Sequence, residues 1–218
     1  ILIWIFFIII VFSKNIISYY YIKKFSRWVE RPVKINQIYF EYSGYVEIKD
    51  IKILNLNEHY YKNIFQAEKI EITFDLKSLF SDLIIVKSLT IINPEFFIDI
   101  KISKEIENSS KEKTIYKYNI GLAEKLNEKK TAKIWLKKDK DINFIIINST
   151  LSGTKAKVKV SSIQQTEKVN LSKMTFSNFG NEKNYKHYKD ILKIILFDLY
   201  ATMNKGDIKE TLKKIYNF

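Results

Sequence analysis

Alternation of apolar and polar residues at every second position constrains the fold of this chain more than any other feature. Three segments show it clearly: residues 70–76, 96–102 and 155–160. Each has one apolar face and one face with polar or charged residues. Successive side chains of a strand point to opposite sides, so this period predicts strands with a single apolar face. The candidate apolar groove or core face consists of Ile70, Ile72, Phe74, Leu76, Phe96, Ile98, Ile100, Val158 and Val160.

Six less regular segments also favour strands: residues 33–40, 45–56, 83–92, 132–137, 142–148 and 168–176. One of them changes phase, because Ile48 is followed by Ile51 and Ile53, and a bulge near Asp50 would explain the change. Turns are predicted at residues 43–44, 93–94 and 152–153. The chain is therefore predicted to be mainly β with helices (α+β), built on a curved antiparallel sheet or an open β-groove.

Two segments between the predicted strands have a different character. Residues 103–113 are polar and charged, which favours a flexible link. Residues 115–130 place Ile115, Tyr118, Leu122 and Leu126 near one stripe, as in a helix, although Gly121 interrupts it.

The C-terminal residues have helical periodicity instead. The candidate docking face of the first helix consists of Tyr188, Ile191, Leu192, Ile195 and Leu199. Gly206 ends this helix, and Asp207 with Glu210 is typical of a capping box that starts a second one. We expect these amphipathic helices to cover the sheet or a partner, with a lipid surface as the alternative.

The N-terminus is predicted to be a transmembrane helix. Residues 1–12 are all apolar, residues 16–22 are apolar or aromatic apart from Ser18, and Lys23, Lys24 and Arg27 follow. Twelve helical residues span about 18 Å of a hydrocarbon core of about 30 Å, so we expect further apolar residues upstream. The residues assigned to this anchor and its interfacial belt include Trp4, Phe6, Phe7, Tyr19 and Tyr20.

Two alternatives to an anchor are weaker. A cleaved signal peptide lacks a small-residue cleavage site here, and a buried soluble helix would have a polar face. The cations after the segment favour a cytoplasmic body by the positive-inside rule.

The net charge of +13 raises the question of a polyanionic partner. Only Arg27 and Arg31 are arginines, so the charge comes from lysine. Base readout and bidentate phosphate clamps favour arginine, which argues against nucleic acid as a partner. Binding of an anionic membrane surface by lysines remains open.

No constellation of catalytic or metal-binding residues is recognisable. The chain has no cysteine, and its two histidines, His59 and His187, have no partner at ligand spacing. We expect both to be exposed polar residues. No glycine-rich phosphate loop or nucleophile elbow occurs. The expectation is a protein without catalytic activity, metal or cofactor.

Taken in order, the segments resemble the AsmA-like family of bacterial envelope proteins, in particular its short single-repeat members. Residues 45–55 resemble its opening strand pair ending in Asn, residues 67–79 its strand and D-L-x-S-L turn, and residues 84–94 with 96–99 its I-x-x-I-x-I-x-x-P strand. Residues 169–180 and the helix after them are similar to the tail of short members. One departure is that Asn55 precedes Leu56, where the family usually has Pro.

The resemblance implies an inner-membrane anchor with a periplasmic body, contrary to the charge rule, and no enzymatic activity. It divides the chain into an anchor and interfacial segment (1–29), a β-rich domain (30–180) and a helical tail (181–218). It also implies lipid binding or support of outer-membrane assembly, within a homo-oligomer or an envelope complex. The alternative functions are a structural accessory subunit of a membrane complex and a lysine-driven binder of anionic membrane surfaces.

Overall fold

A computed structural model describes residues 22–23, 26, 31–55, 59–107, 111–120 and 143–216. These residues form a curled open sheet and two C-terminal helices. The strands are β1 (Val33–Lys34), β2 (Gln37–Phe40), β3 (Tyr45–Leu54), β4 (Asn63–Phe74), β5 (Leu83–Ile92), β6 (Glu95–Glu107), β7 (Lys111–Tyr118), β8 (Asn143–Ser152), β9 (Lys155–Val160), β10 (Gln165–Asn170), β11 (Met174–Gly180) and β12 (Lys186–His187). The helices are α1 (Tyr188–Thr202) and α2 (Gly206–Tyr216), and Leu76–Phe80 and Ser161–Ile163 form 3-10 turns.

The sheet is built from successive bent units, each made of two strand segments that meet at a corner. We call each unit a layer and its two segments the arms of the sheet. The first arm contains β2, the start of β3, the end of β4, β5, β8 and β11. The second arm contains β1, the end of β3, the start of β4, β6, β9 and β10. In the described part of the chain six such layers follow one another, so both arms extend by backbone hydrogen bonds in the same direction.

Residues with left-handed backbone geometry form the corner. Asp50 has φ 51°, Asn93 has φ 50° and Gly153 has φ 68°. At the corner the pairing of β3 with β4 passes from Lys49 to Ile51, so the bend at Asp50 explains the change of phase seen in the sequence. Asp and Asn tolerate this geometry better than most residues, and Gly has no β-carbon to oppose it.

Two bent strand pairs, β5–β6 and β8–β9, lie side by side in parallel with a constant offset of 60 residues. Leu83 pairs with Asn143 and Ile92 with Ser152, and after the turn Glu95 pairs with Lys155. The turns meet directly, because Asn93 N–H donates to the Ser152 carbonyl at 2.8 Å. The sheet is therefore mixed, and the antiparallel pairing expected of the curved sheet is wrong at the parallel pairs β5–β8, β6–β9 and β11–β12. A parallel pair cannot be joined by a tight turn, and here β6 and β7 lie between β5 and β8 in the chain.

The inner face of the sheet is apolar in both arms. Register places Ile48, Ile70, Ile91, Leu151 and Met174 in one row of the first arm. In the second arm one row consists of Val33, Ile53, Phe65, Phe96, Ala156 and Val169. Residues of both rows belong to one hydrophobic cluster with α1 and α2, so the sheet curls around its apolar face.

Two predicted segments differ from the structure. Residues 103–107 continue β6, and β7 returns beside it from residue 111, so most of the expected flexible link is a β-hairpin. The expected helix over residues 115–130 is wrong for residues 115–118, which complete β7. Local polarity suggested the link and an apolar stripe suggested the helix, but backbone pairing between β6 and β7 outweighs both local signals. Residues 119–120 are not helical either, and residues 121–130 of that helix, with the strand expected at 132–137, lie outside the described residues.

The predicted N-terminal anchor, with Trp4, Phe6, Phe7, Tyr19 and Tyr20, lies almost entirely outside the described residues. Within the part that is described, no helix has the length and apolar character needed to cross a bilayer. The C-terminal helices agree with the prediction in number and position. Helix α2 begins at Gly206, however, so Asp207 lies in its first turn and not at the cap.

Candidate functional site

The predicted apolar positions lie together on the inner face, with one exception. Ile70, Phe96, Ile98, Ile100, Val158 and Val160 are buried in the core, and Ile72 and Phe74 are partly buried at its margin. Leu76 is 42% exposed, because the chain leaves β4 there and enters the 3-10 turn. The alternation therefore identified an inner face that the fold builds from strands distant in sequence.

Helix α1 covers the second arm on this inner face. Of its predicted docking residues, Ile191, Ile195 and Leu199 are buried, and Tyr188 and Leu192 are partly buried. The space left between α1 and the strands is a cavity of about 10 Å³, bordered by Phe96, Ile98 and Leu199 among others. A cavity of that size has room for about one water molecule, so it holds no acyl chain. The second arm is thus a closed core.

A buried carboxylate attaches the helices to the sheet. Glu167 of β10 follows Ile98 and Val158 in an inner row of the second arm and is 8% exposed. It accepts hydrogen bonds from the backbone N–H groups of Asn204 (2.7 Å) and Lys205 (3.2 Å), which connect α1 to α2. The acidic side chain is tolerated in the core because backbone donors satisfy it.

The inner face of the first arm is less covered. Ile48 of β3, Ile72 and Phe74 of β4, and Leu89 and Ile91 of β5 are all partly exposed. We call these five residues the inner strip. They lie on three adjacent strands, about 4.8 Å apart, so they form a continuous apolar surface about 10 Å wide.

A second site lies on the outer face of the second arm, around Asp99. Its carboxylate is fully buried and lies 3.2 Å from Nδ1 of His59. It also accepts hydrogen bonds from the Tyr60 N–H at 2.9 Å and from Ser161 Oγ at 3.2 Å. Burial alone would raise the pKa of Asp99, but these hydrogen bonds and the adjacent imidazole hold that pKa below its ordinary value.

The expectation of an exposed His59 is wrong, because only 3% of its side chain is exposed. Residues 59–62 cross the outer face of β6, and the Tyr61 ring contacts the Phe97 ring with centroids 5.4 Å apart. Burial raises the pKa of Tyr61 to about 12. No sequence signal links His59 to Asp99, which are 40 positions apart. His187 is half-buried and lies beside Tyr188, with ring centroids 4.4 Å apart.

The hydrogen bonds of Asp99 join His59, Tyr60 and Ser161 to β6. Ser161 Oγ donates to the carboxylate and not to the imidazole, which differs from the order of a Ser-His-Asp triad. Asn119, also buried, donates to the Phe97 carbonyl and accepts from the Asp99 N–H, both within 2.8 Å. Among the described residues, no group of three or more His, Cys, Asp or Glu side chains is placed to hold a metal ion.

An exposed apolar surface lies at the far end of the first arm. Tyr42 and Phe80 are almost fully exposed, and Leu76 and Leu79 are each 42% exposed. The two turns that carry them adjoin, because Phe74 N–H donates to the Gly44 carbonyl at 2.9 Å. We call these four residues the tip patch. Exposed apolar groups gathered at one place are typical of contact surfaces.

The fold and the sites define a class: a curled, layered β-sheet whose inner face is half closed by its own C-terminal helices. Compared with protein-family models, curated proteins and solved structures, the chain matches none. The AsmA-like resemblance is therefore neither supported nor tested by these comparisons, and it stays a prediction from sequence pattern.

Proposed function

We propose that this protein is a non-enzymatic AsmA-like protein, anchored in the bacterial inner membrane with a periplasmic body, that binds lipid and supports envelope assembly. The observation that carries the proposal is the inner strip. It offers a partly exposed apolar surface on the concave side of the sheet, next to a core that is already closed. Acyl chains bury apolar area on such a surface at about 25 cal/mol per Å².

The layered construction supports the same proposal. Each layer continues the inner apolar rows by one strand spacing, so the strip runs across the strands and not along one of them. A chain of methylene groups laid across the layers would contact Ile72 and Leu89, which lie opposite each other, with Ile48 and Ile91 in the next row. The cavity under α1 is too small, so we place the lipid on the first arm.

Lipid retention tests the proposal directly. The full chain is extracted in mild detergent, and co-purifying phospholipid is measured by native mass spectrometry. We expect near-stoichiometric lipid on the native chain and severalfold less on Ile72→Glu, because a carboxylate on the strip opposes an apolar ligand. Thr73→Glu is the matched control, since Thr73 follows Ile72 in β4 and its side chain points to the outer face.

Two results would contradict lipid binding. One is a native chain that carries no phospholipid after gentle extraction. The other is equal loss from Ile72→Glu and Thr73→Glu. Circular dichroism of both variants separates loss of the surface from loss of the fold, and Ile72→Trp, which fills the strip without charge, should also displace lipid.

The tip patch favours a second function, that of a structural accessory subunit in a larger membrane complex. Tyr42 and Phe80 are too exposed to stabilise the isolated fold, and aromatic residues are enriched where proteins meet. The double variant Tyr42→Ser, Phe80→Ser should leave the melting temperature unchanged and reduce the size of the extracted complex. Tyr185→Ser, which also removes an exposed aromatic, should do neither. A complex of unchanged size would exclude the patch as its contact.

A further inference from the structure

We infer that the outer face of the second arm lies against an anionic lipid surface, on the side where the N-terminal segment enters the fold. This inference rests on the proposed membrane anchor and goes beyond lipid binding by the inner strip. The juxtaposition that carries it is an array of lysines on this face, in the arm whose first strand, β1, is hydrogen-bonded to Ser26.

Register aligns the lysines in rows across the strands. Lys34 pairs with Lys52 in the first layers, and Lys155 lies in the same row three strands further on. Lys157 pairs with Lys168 in the next row, and Lys159 follows in the third. The face therefore presents six lysines: Lys34, Lys52, Lys155, Lys157, Lys159 and Lys168.

Four carboxylates lie on the same face or at its corner, against six lysines, so the face keeps an excess of two positive charges. Glu95 binds Lys157 at 2.7 Å, and Asp99 is buried beneath residues 59–62. Lys34, Lys52, Lys155 and Lys168 are exposed and form no ion pair with the residues that the structure describes. Two further carboxylates, Asp50 and Glu68, lie at the corner beside Lys52 and Lys155, where they offset part of the lysine charge and accept hydrogen bonds from Asn36 and Asn93.

The outer face of the first arm differs in its charge. Its lysines are compensated, because Lys69 lies 2.8 Å from Glu71 and Lys49 lies 3.2 Å from Glu47. Beyond these pairs its rows contain hydroxyl and amide side chains: Thr73, Ser88, Thr90, Asn148, Thr150, Thr175 and Ser177. The asymmetry between the arms orients one face, and not the whole protein, toward negative charge.

An exposed tyrosine completes the basic face. Tyr60 is 61% exposed, and the Lys159 ammonium lies 3.2 Å from the centre of its ring. Tyrosine at headgroup depth is typical of membrane interfaces, where the ring is half in hydrocarbon and the hydroxyl is in water. Lysine without arginine suits diffuse attraction to headgroups more than bidentate recognition of a single phosphate.

The chain enters the fold at the same arm. Val33 of β1 donates its N–H to Ser26 Oγ at 3.0 Å, and Arg31 N–H donates to the Ser26 carbonyl at 3.2 Å. The apolar stretch of residues 16–22 ends four positions before Ser26. An anchor in the bilayer therefore holds the first layer of the second arm near the lipid surface, within reach of short-range electrostatic attraction.

The chain has no cysteine, so single reporter sites can be introduced without background. Asn170→Cys places a fluorescent label on the outer face of the second arm, and Thr175→Cys places one on the outer face of the first arm. The labelled full chain is reconstituted in phosphatidylcholine vesicles with or without about one third phosphatidylglycerol. A quencher attached to lipid then reports contact with the membrane.

We expect the label at residue 170 to be quenched strongly in anionic vesicles and less in neutral ones. Raising the salt to about 0.5 M should reduce the quenching in both kinds of vesicle. Lys52→Gln and Lys168→Gln should each weaken the contact roughly fivefold. Equal quenching in neutral and anionic vesicles, or equal quenching at Thr175, overturns the inference. A chain that does not enter vesicles at all contradicts the anchor, which distinguishes failure of the proposed function from failure of this inference.

Discussion

The carboxylate of Asp99 lies 3.2 Å from Nδ1 of His59, and both side chains are almost fully excluded from solvent. Together with the Tyr60 N–H and Ser161 Oγ, this contact fastens residues 59–62 to the outer face of the second arm. A buried carboxylate with several donors stabilises a fold through its partners, since losing it leaves those donors buried without an acceptor.

We therefore expect Asp99→Asn to lower the free energy of unfolding by about 2–4 kcal/mol. The amide keeps the shape but loses the charge and one acceptor. Denaturant unfolding of the full chain in mild detergent measures the effect. Glu68→Gln, an exposed carboxylate that accepts one hydrogen bond from Asn93, should change stability by less than about 1 kcal/mol. Similar losses from both variants would refute a special role for Asp99.

The same residue predicts a dependence of stability on acid. The pKa of Asp99 in the fold is below its ordinary value of 3.8. Its stabilisation is therefore complete above pH 3.8 and is lost as the pH falls through the lowered value. Unfolding free energies measured between about pH 5 and pH 2 should fall more steeply for the native chain than for Asp99→Asn. Parallel curves would contradict the prediction.

How far this fold could be predicted depends on the range of the interactions. Strand β5 was predicted with the bounds it has, and the alternation near Ile98 and Val158 identified inner-face residues, because period two is a local signal. The stacking of β5–β6 on β8–β9 depends on pairs 60 residues apart. A repeat comparison of residues 83–100 with 143–160 would have indicated it, since both contain a strand, a turn and an alternating strand.

The candidate sites were harder to predict than the strands. The burial of His59 depends on Asp99, 40 residues away, and isolated polar residues of this kind are usually exposed. Glu167 was unrecognisable for the same reason, because its partners are backbone N–H groups in the connection between two helices. The flexible link expected from the polar residues 103–107 was wrong because these residues pair with β7. That pairing uses backbone hydrogen bonds and does not need apolar side chains.

Glu167 predicts a local effect on the helices. Glu167→Ala leaves the N–H groups of Asn204 and Lys205 without their acceptor, so α1 and α2 should separate from the sheet more often. We expect amide hydrogen exchange to rise roughly tenfold or more in residues 203–212 and to change little in β4 and β5. Glu210→Ala, an exposed position on α2, is the control. Equal exchange rates in residues 203–212 of both variants would show that Glu167 does not hold the helices on the sheet.

The corner offers the last prediction, because Gly153 and Asn93 occupy it together. A β-carbon at residue 153 would collide with the Asn93 side-chain oxygen, and its φ of 68° opposes any non-glycine residue. Gly153→Ala should therefore lower the free energy of unfolding by about 1–3 kcal/mol. Adding Asn93→Gly removes the collision but not the backbone cost, so the double variant should recover only part of the loss.

Gly206 is the matched control for that substitution. It begins α2, and a β-carbon there would meet nothing within 4 Å. Gly206→Ala should stabilise the chain by up to about 1 kcal/mol, because alanine loses less backbone freedom in a helix than glycine does. Opposite signs for the two Gly→Ala variants in the same denaturant assay would support the corner as a strained junction of stacked turns. Loss of similar size at both positions would contradict it, since the two sites share only the change of residue.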